Sequence, residues 1–254
     1  MAQPEIVDVT LENVDQTGFF CFMSKKKAPG YALKNAWIKE RFGEGLRLKM
    51  LKLPERGMIE YIPGEFAWRA VNVSGYMFIH CLWSVGKSRG KGYSRLLLDL
   101  CEKDARESGF NGVAVVASEG TWLVGKEVFL DSGYTAVDTA PPSFTLLVKK
   151  FNDAADPSFS GNWEANQQAA GDGMTIFRTD QCPYIEDLVY INIAEAEKRS
   201  IPCKVVALQS AEDVRRLSPS AYGTFNTTLS GSLFSYCYLT GSQAETRFNE
   251  LLGK

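Results

Sequence analysis

The sequence predicts an α/β (α+β) protein organised as two units, and three observations carry that expectation. Short apolar stretches alternating with polar residues recur through the first eighty positions, the period-2 sign of half-buried strands. A continuous apolar run, Tyr76 to Ser84, leads into a glycine-rich turn and then an amphipathic helix. A polar, turn-rich stretch from 151 to 172 precedes a renewed strand–helix–strand pattern.

The elements follow in order. Ile6 to Val9 starts a strand, and Asn35 to Phe42 a helix. Leu46 to Lys52 alternates apolar and basic residues as a half-buried strand does. Gly57 to Tyr61 and Phe66 to Val73 read as hairpin partners, broken by Pro63-Gly64. Tyr76 to Ser84 is a central strand. Leu96, Leu97, Leu100, Cys101 and Ala105 then fall at helical spacing, with Asp99, Glu102, Lys103 and Arg106 opposite, and Gly109 ends the helix. Val113 to Ala117 is a short buried strand. Trp122 to Leu130 is a second helix, stopped near Ser132-Gly133. Phe144 to Val148 closes this part. The domain expectation is 1–150, a linker at 151–172, and a second domain at 173–254.

Composition narrows the function classes. Hydrophobic residues make up 45% and charged residues 23%, values of a packed globular chain. The net charge of −2 gives no basic excess to attract nucleic acid. Lys25-Lys26-Lys27 reads as a solvated loop. No apolar run reaches the roughly 20 residues that span a bilayer. The N-terminus lacks a basic start followed by an apolar stretch, so a cytoplasmic location is expected. Six scattered cysteines without a CxxC pair read as reduced thiols, with no disulfide frame and no metal site.

Chemistry concentrates at Val85 to Leu98, between the central strand and the amphipathic helix. Glycines there let main-chain N–H groups converge. The first helical turn adds unpaired donors and partial positive charge, which together suit a diphosphate. Arg89 and Lys91 add formal charge. The blander alternative is a plain glycine turn capping a strand–helix unit. The spacing is neither GxxxxGK[ST] nor GxGxxG.

This stretch resembles motif A of the GNAT (Gcn5-related) N-acetyltransferases, (Arg/Gln)-x-x-Gly-x-(Gly/Ala). Two frames fit, Lys87–Gly92 and Arg89–Ser94. The second is preferred because it sets Leu97-Leu98 on the family's helical leucine pair. Ile79 to Ser84 resembles the family's fourth strand, Val113 to Ala117 its fifth, and Phe129 to Tyr134 its Tyr-x-x-x-Gly-Phe motif. The likeness spans about residues 1–150 and is densest from 76 to 134.

The resemblance implies the GNAT acyl-CoA N-acyltransferase fold, with a central mixed, mostly antiparallel sheet. It implies acetyl-CoA as co-substrate, a diphosphate site at Arg89, Gly90, Lys91, Gly92, Tyr93 and Ser94, and a pantetheine arm between splayed fourth and fifth strands. The backbone of Leu82, Trp83 and Ser84 would pair with that arm. It implies a small-molecule or peptide amine as acceptor.

The pattern also departs from the family. The tyrosine that protonates the leaving thiolate is replaced by Phe129, and a frequent asparagine aligns near Trp122. Two residues are candidates for the general base. His80, the single histidine, shares a face with Phe78 and Leu82 by alternation. Glu119 lies just past the fifth strand. For each, an ordinary structural role is the competing reading.

Residues 173–254 give the order β-α-β-(helical turn)-β-β-α, which resembles the thioredoxin-like fold. Cys182-Pro183-Tyr184 stands where that fold has CPxC, but Ile185 replaces the second cysteine, so dithiol exchange is excluded. Cys182 at a helix N-terminus keeps a monothiol role open. Pro219 is the nearest candidate for that fold's cis-proline. Gln181 to Tyr184 and Gly223 to Phe225 resemble runs of the YoaP-like acetyltransferases. Three functions stand open: an acetyl-CoA-dependent N-acetyltransferase, a non-catalytic acyl-CoA-binding or sensing protein, and a thiol redox protein acting through Cys182.

Overall fold

In the computed structural model, which describes residues 4–237 and 239–252, the chain forms two compact units drawn from interleaved stretches of sequence. The first comprises Met1–Lys26, Asn35–Ala67 and Val71–Phe159; the second comprises Lys27–Lys34, Trp68–Ala70 and Ser160–Lys254.

The first unit carries β1 (Ile6–Val9), α1 (Val14–Thr17), most of α2 (Pro29–Phe42), β2 (Arg47–Leu51), β3 (Gly57–Pro63), β4 (Val71–Asn72) and β5 (Met77–Ser84). After these come α3 (Tyr93–Glu107), β6 (Gly112–Ser118), α4 (Lys126–Leu130), β7 (Thr135–Ala140), β8 (Phe144–Lys150) and β9 (Ser158–Phe159). Seven strands make one sheet in the order β1-β2-β3-β5-β6-β8-β7. Only β5 and β6 run parallel; every other neighbouring pair is antiparallel. The mixed, mostly antiparallel sheet implied by the resemblance is therefore present.

The sequence explains the centre of this sheet. All seven residues of β6, Gly-Val-Ala-Val-Val-Ala-Ser, are buried, as befits a strand covered on both faces. Helix α3 lays Leu97, Leu98, Cys101 and Ala105 on the sheet at 0% exposure. Each leucine buried this way contributes about 1.5–3 kcal/mol. The helix ends as expected at Gly109, whose φ of 77° is left-handed, with Phe110 N–H donating to the Ala105 carbonyl at 3.0 Å.

Two expectations are corrected. Phe66 to Val73 is not the hairpin partner of β3, which pairs with β5; only Val71–Asn72 is extended, and it pairs with β9. The segment folds back as a loop, closed by the Gly64 N–H donating to the Tyr76 carbonyl at 2.8 Å, and Gly64 packs so closely there that a Cβ would lie 1.9 Å from the Val73 carbonyl oxygen. The second helix begins at Lys126, not Trp122, because Thr121 Oγ1 takes the Leu123 N–H at 3.0 Å and holds a turn. Strand β7 has no counterpart in the sequence pattern, since five of its six residues are exposed or half-buried and carry no clean apolar alternation.

The second unit carries α5 (Trp163–Ala169), β10 (Met174–Arg178), α6 (Ile185–Glu197), β11 (Cys203–Ala207), α7 (Ala211–Leu217), β12 (Phe225–Leu229), β13 (Ser232–Ser235) and α8 (Gly241–Leu252). Its sheet runs β11-β10-β12-β13, with β10 parallel to β11 and the other pairs antiparallel. Ile176, Leu188, Phe225, Phe234 and Phe248 meet in its core. The sequence pattern places a hairpin over Thr224 to Leu229 and Leu233 to Tyr238; its second strand is extended over Ser232–Ser235, and Tyr238 lies outside the described residues. Stretch 151–172 contains β9 and α5. No helix among the described residues is long and apolar enough to cross a membrane.

Candidate active site

The glycine turn links β5 to α3. Gly86, Gly90 and Gly92 have φ of 60°, 73° and 77°, and a Cβ built on any of them meets nothing within 4 Å. Three left-handed residues thus face open space, a conformation glycine adopts without steric cost. The first backbone bond of α3 runs from Leu96 N–H to the Gly92 carbonyl. The amides of Tyr93, Ser94 and Arg95 therefore stand outside the helical ladder at its positive end.

The turn is held from beneath. Ser88, 2% exposed, donates to Glu55 Oε2 at 2.6 Å and accepts from the Arg56 amide at 2.9 Å. Lys91 Nζ donates to Glu55 Oε1 at 2.7 Å. Hydrogen bonds from Lys91, then from Ser88, hold the Glu55 carboxyl below its usual range. Glu55 was missed in the sequence because it lies on the β2–β3 turn, far along the chain. Arg89 is exposed, and Ser94 Oγ lies 3.4 Å from Ser84 Oγ at the end of β5.

Beside the turn the sheet opens. Strands β5 and β6 are paired only at Met77–Val113, Phe78–Ala114 and Ile79–Val115, although both continue several residues further. Past Ile79, the edge of β5 that faces β6 offers main-chain groups that no strand takes up. Leu82, Trp83 and Ser84 lie along this stretch. Trp83 packs its ring 5.5 Å from that of Phe20.

At the parting point β5 bulges. Its register with β3 jumps from Tyr61↔Ile79 to Glu60↔Cys81, which leaves His80 as the extra residue. The bulge breaks alternation. His80 packs against Phe78 at 5.7 Å and Trp37 at 5.9 Å, whereas Leu82 joins the core on which α3 sits. The expected common face of Phe78, His80 and Leu82 therefore holds for the first two only. The His80 side chain is 0% exposed, with Nδ1 3.3 Å from Oε1 of Glu60, itself 1% exposed.

Phe129 is 1% exposed and packs edge-on against Tyr134 at 5.6 Å, deep in the core. It brings no proton donor to the open edge.

Beyond the parted end of β6 lies a cavity of about 520 Å³, lined by Ser118, Glu119, Lys126 and the β7–β8 turn from Thr139 to Thr145. Glu119 and Lys126 are exposed on its wall. Ser118 Oγ lies 2.9 Å from Ser143 Oγ, and Ser143 Oγ donates to the Glu119 carbonyl at 3.3 Å. These bonds fix the loop that carries the glutamate. Sequence reasoning named Glu119 but missed Lys126 and the Thr139–Thr145 turn, since the latter belongs to the unread β7 hairpin.

In the second unit Cys182 is half-buried against the core and precedes α6 by three residues. None of the six cysteines forms a disulfide among the described residues. The cis peptide bonds precede Pro54 and Pro142, not Pro219.

The seven-stranded mixed sheet is thus parted at its one parallel pair, with the glycine turn at the mouth of the gap. No family profile matches the chain. Over 250 residues, 96% of this chain and 98% of the relative, it is 29% identical to the uncharacterized N-acetyltransferase YoaP of Bacillus subtilis (strain 168). Two solved structures are also similar to part of it. One is the ribosomal-protein-alanine N-acetyltransferase from Brucella melitensis, with TM-score 0.43, 13% identity, and 58% of this chain against 99% of that chain. The other is the paia N-acetyltransferase from Thermoplasma acidophilum in complex with coenzyme A, with TM-score 0.42, 14% identity, and 59% against 100%.

Proposed function

We propose that this chain is an acetyl-CoA-dependent N-acetyltransferase that acts on a primary amine. The parting of β5 and β6 beside a turn of three open, left-handed glycines is the observation that carries the reading. The end-to-end similarity to a protein named as an N-acetyltransferase supports it.

Amides from Gly90 to Arg95 receive the diphosphate of the co-substrate, with Arg89 adding charge at the rim. Lys91 is already engaged by Glu55, so its first role is to order the turn. The unpaired edge of β5 past Ile79 receives the pantetheine arm. Bound acetyl-CoA supplies an activated acyl group as a thioester. An N–H of the same edge, around Leu82, faces the thioester oxygen and offsets the charge that gathers there.

The acceptor arrives as an ammonium and must first lose a proton. Glu119 lines an open cavity and His80 is enclosed, so this reading gives that proton to Glu119 or to water. The amine nitrogen then attacks the carbonyl carbon. A C–N bond forms, the C–S bond breaks, and the electron pair leaves on sulfur. The nitrogen releases a second proton and the thiolate takes one from solvent, so the reaction yields an amide, a thiol and one net proton. With Phe129 buried and aprotic, no side chain at that position assists departure. The same fact favours the second reading, a protein that binds acyl-CoA without turning it over.

The second unit we read as thioredoxin-like, supported by the strand order β11-β10-β12-β13 with β10 and β11 parallel. Isothermal calorimetry with acetyl-CoA tests the main reading. Binding to the parent chain that disappears in Gly92→Trp supports the diphosphate site; normal binding by that variant removes it. Coenzyme A release in a broad amine screen separates the enzyme from the mere binder.

A further inference from the structure

The cavity beyond β6 presents two opposite charges that engage nothing in the protein. Several acids and bases of the first unit pair closely. Lys39 meets Asp15 at 2.7 Å, Lys49 meets Asp8 at 2.5 Å, Lys91 meets Glu55 at 2.7 Å, and Lys149 meets Glu102 at 2.7 Å. Among the described residues Glu119 and Lys126 are in no such pair, which is also true of exposed charges such as Arg89 and Glu127, but these two share one cavity wall. Both line the same cavity of about 520 Å³. Among the described residues neither side chain takes part in an ion pair or a hydrogen bond. Around them the wall is neutral and hydrogen-bonding, from Ser118, Thr139, Ser143 and Thr145, and is stiffened by Pro141-Pro142.

We propose that the acceptor is an amino acid, a small molecule with an ammonium and a carboxylate, whose ammonium is received by Glu119 and whose carboxylate is received by Lys126. The inference rests on the N-acetyltransferase reading and names the substrate class of that site. A simple amine leaves Lys126 with no counter-charge, and an anion without an amine leaves Glu119 with none. Only a ligand bearing both signs satisfies both walls. The cavity volume is in the range of small-molecule sites. It begins at Ala117 and Ser118, the residues of β6 that have already parted from β5, so an amine held there lies beside the gap assigned to the thioester arm. A site arranged for a polar group rejects the analogue that lacks it far more strongly than a small apolar difference would allow.

The test compares three matched pools at low salt: the common L-amino acids, their methyl esters, and the corresponding decarboxylated amines. Coenzyme A release is read for the parent chain, Lys126→Met and Glu119→Gln, and calorimetry with acetyl-CoA is run on each protein. The expected result is a kcat/KM about tenfold or more higher for amino acids than for either other pool. Lys126→Met should abolish that preference, and Glu119→Gln should lower turnover of all three pools, with acetyl-CoA affinity unchanged in both variants. Equal or better turnover of esters or simple amines overturns the proposal. So does absence of turnover with any pool while acetyl-CoA binds, and in that case the co-substrate site stands. Failure of the parent chain to bind acetyl-CoA overturns both readings together.

Discussion

The carboxylate of Glu55 holds the ammonium of Lys91 at 2.7 Å, bridging the β2–β3 turn to the glycine turn that precedes α3. With Ser88 on its other oxygen at 2.6 Å, Glu55 orders the turn before any ligand arrives. Removing both anchors in Glu55→Ala should weaken acetyl-CoA binding about three- to tenfold by adding ordering cost, with kcat unchanged. Calorimetry measures it; tighter binding would show that repulsion between Glu55 and the ligand outweighs order. The pH dependence has a definite sign. Lys91 and Ser88 depress the carboxyl, so its contribution is full above the ordinary glutamate value and fades as pH falls through the lowered one. Affinity should therefore show no Glu55-linked change between about pH 8 and pH 5.

A second prediction separates charge from shape at the turn itself. Gly90 has φ of 73° with open space above its Cα. Asparagine and aspartate are the side chains that best tolerate that conformation. Gly90→Asn should bind acetyl-CoA within a few-fold of the parent, at the modest cost of the left-handed residue. Gly90→Asp adds a negative charge facing the diphosphate and should bind at least about tenfold more weakly at low salt, with part of the loss recovered at high salt. Identical behaviour of the two variants would place the diphosphate elsewhere.

What the sequence revealed and what it hid differ in range. The glycine turn and the buried run of β6 are local patterns and lie where the sequence puts them; on α3, Leu97, Cys101 and Ala105 are buried as helical spacing requires, whereas Leu96 and Leu100 are only half-buried, and Leu98 and Glu102, the latter expected on the opposite side, are buried. Glu55 was invisible because its partners lie 33 and 36 positions away. The bulge at His80 was invisible because it is a property of β5 paired with β3, without a glycine or proline to mark it. Strand β7 lacked a signal because it is largely exposed. The split of 27–34 and 68–70 into the second unit depends on tertiary packing that composition does not encode.

That split leads to a third prediction. Arg69, 4% exposed, donates to the Tyr222 carbonyl at 2.6 Å and to Thr224 Oγ1 at 2.7 Å, and its guanidinium lies 4.7 Å from the centre of the Tyr222 ring. Gly223, between them, has φ of 77°, and a Cβ there would lie 3.0 Å from Arg69 Cα. Arg69→Ala leaves a buried carbonyl and hydroxyl without their donor and should destabilise the second unit by about 2–4 kcal/mol. Chemical denaturation followed by fluorescence reports it. A fragment of residues 160–254, lacking both segments, should unfold at lower denaturant than the same unit in the full chain; an equal midpoint would show that 27–34 and 68–70 are dispensable.

The fourth prediction concerns acid. Asp104 on α3 accepts from the Tyr61 hydroxyl at 2.6 Å and lies 3.1 Å from Arg47 and 3.4 Å from Lys49, both on β2. Burial alone would raise this carboxyl, but the Tyr61 hydrogen bond and the two cations outweigh it and hold the value below the usual aspartate range. A carboxyl depressed in the folded state stabilises fully above its unfolded value, about 3.9, and loses that contribution as pH falls through the folded one. Asp104→Asn should therefore be less stable than the parent by a constant amount from about pH 7 to pH 5, and the gap should narrow only as pH falls past the ordinary aspartate value and through the lowered one. Unfolding midpoints measured across that range check the sign. A gap that widens as pH falls would mean that Asp104 is held protonated in the fold, and that burial, not Tyr61 and the lysine–arginine pair, sets its charge.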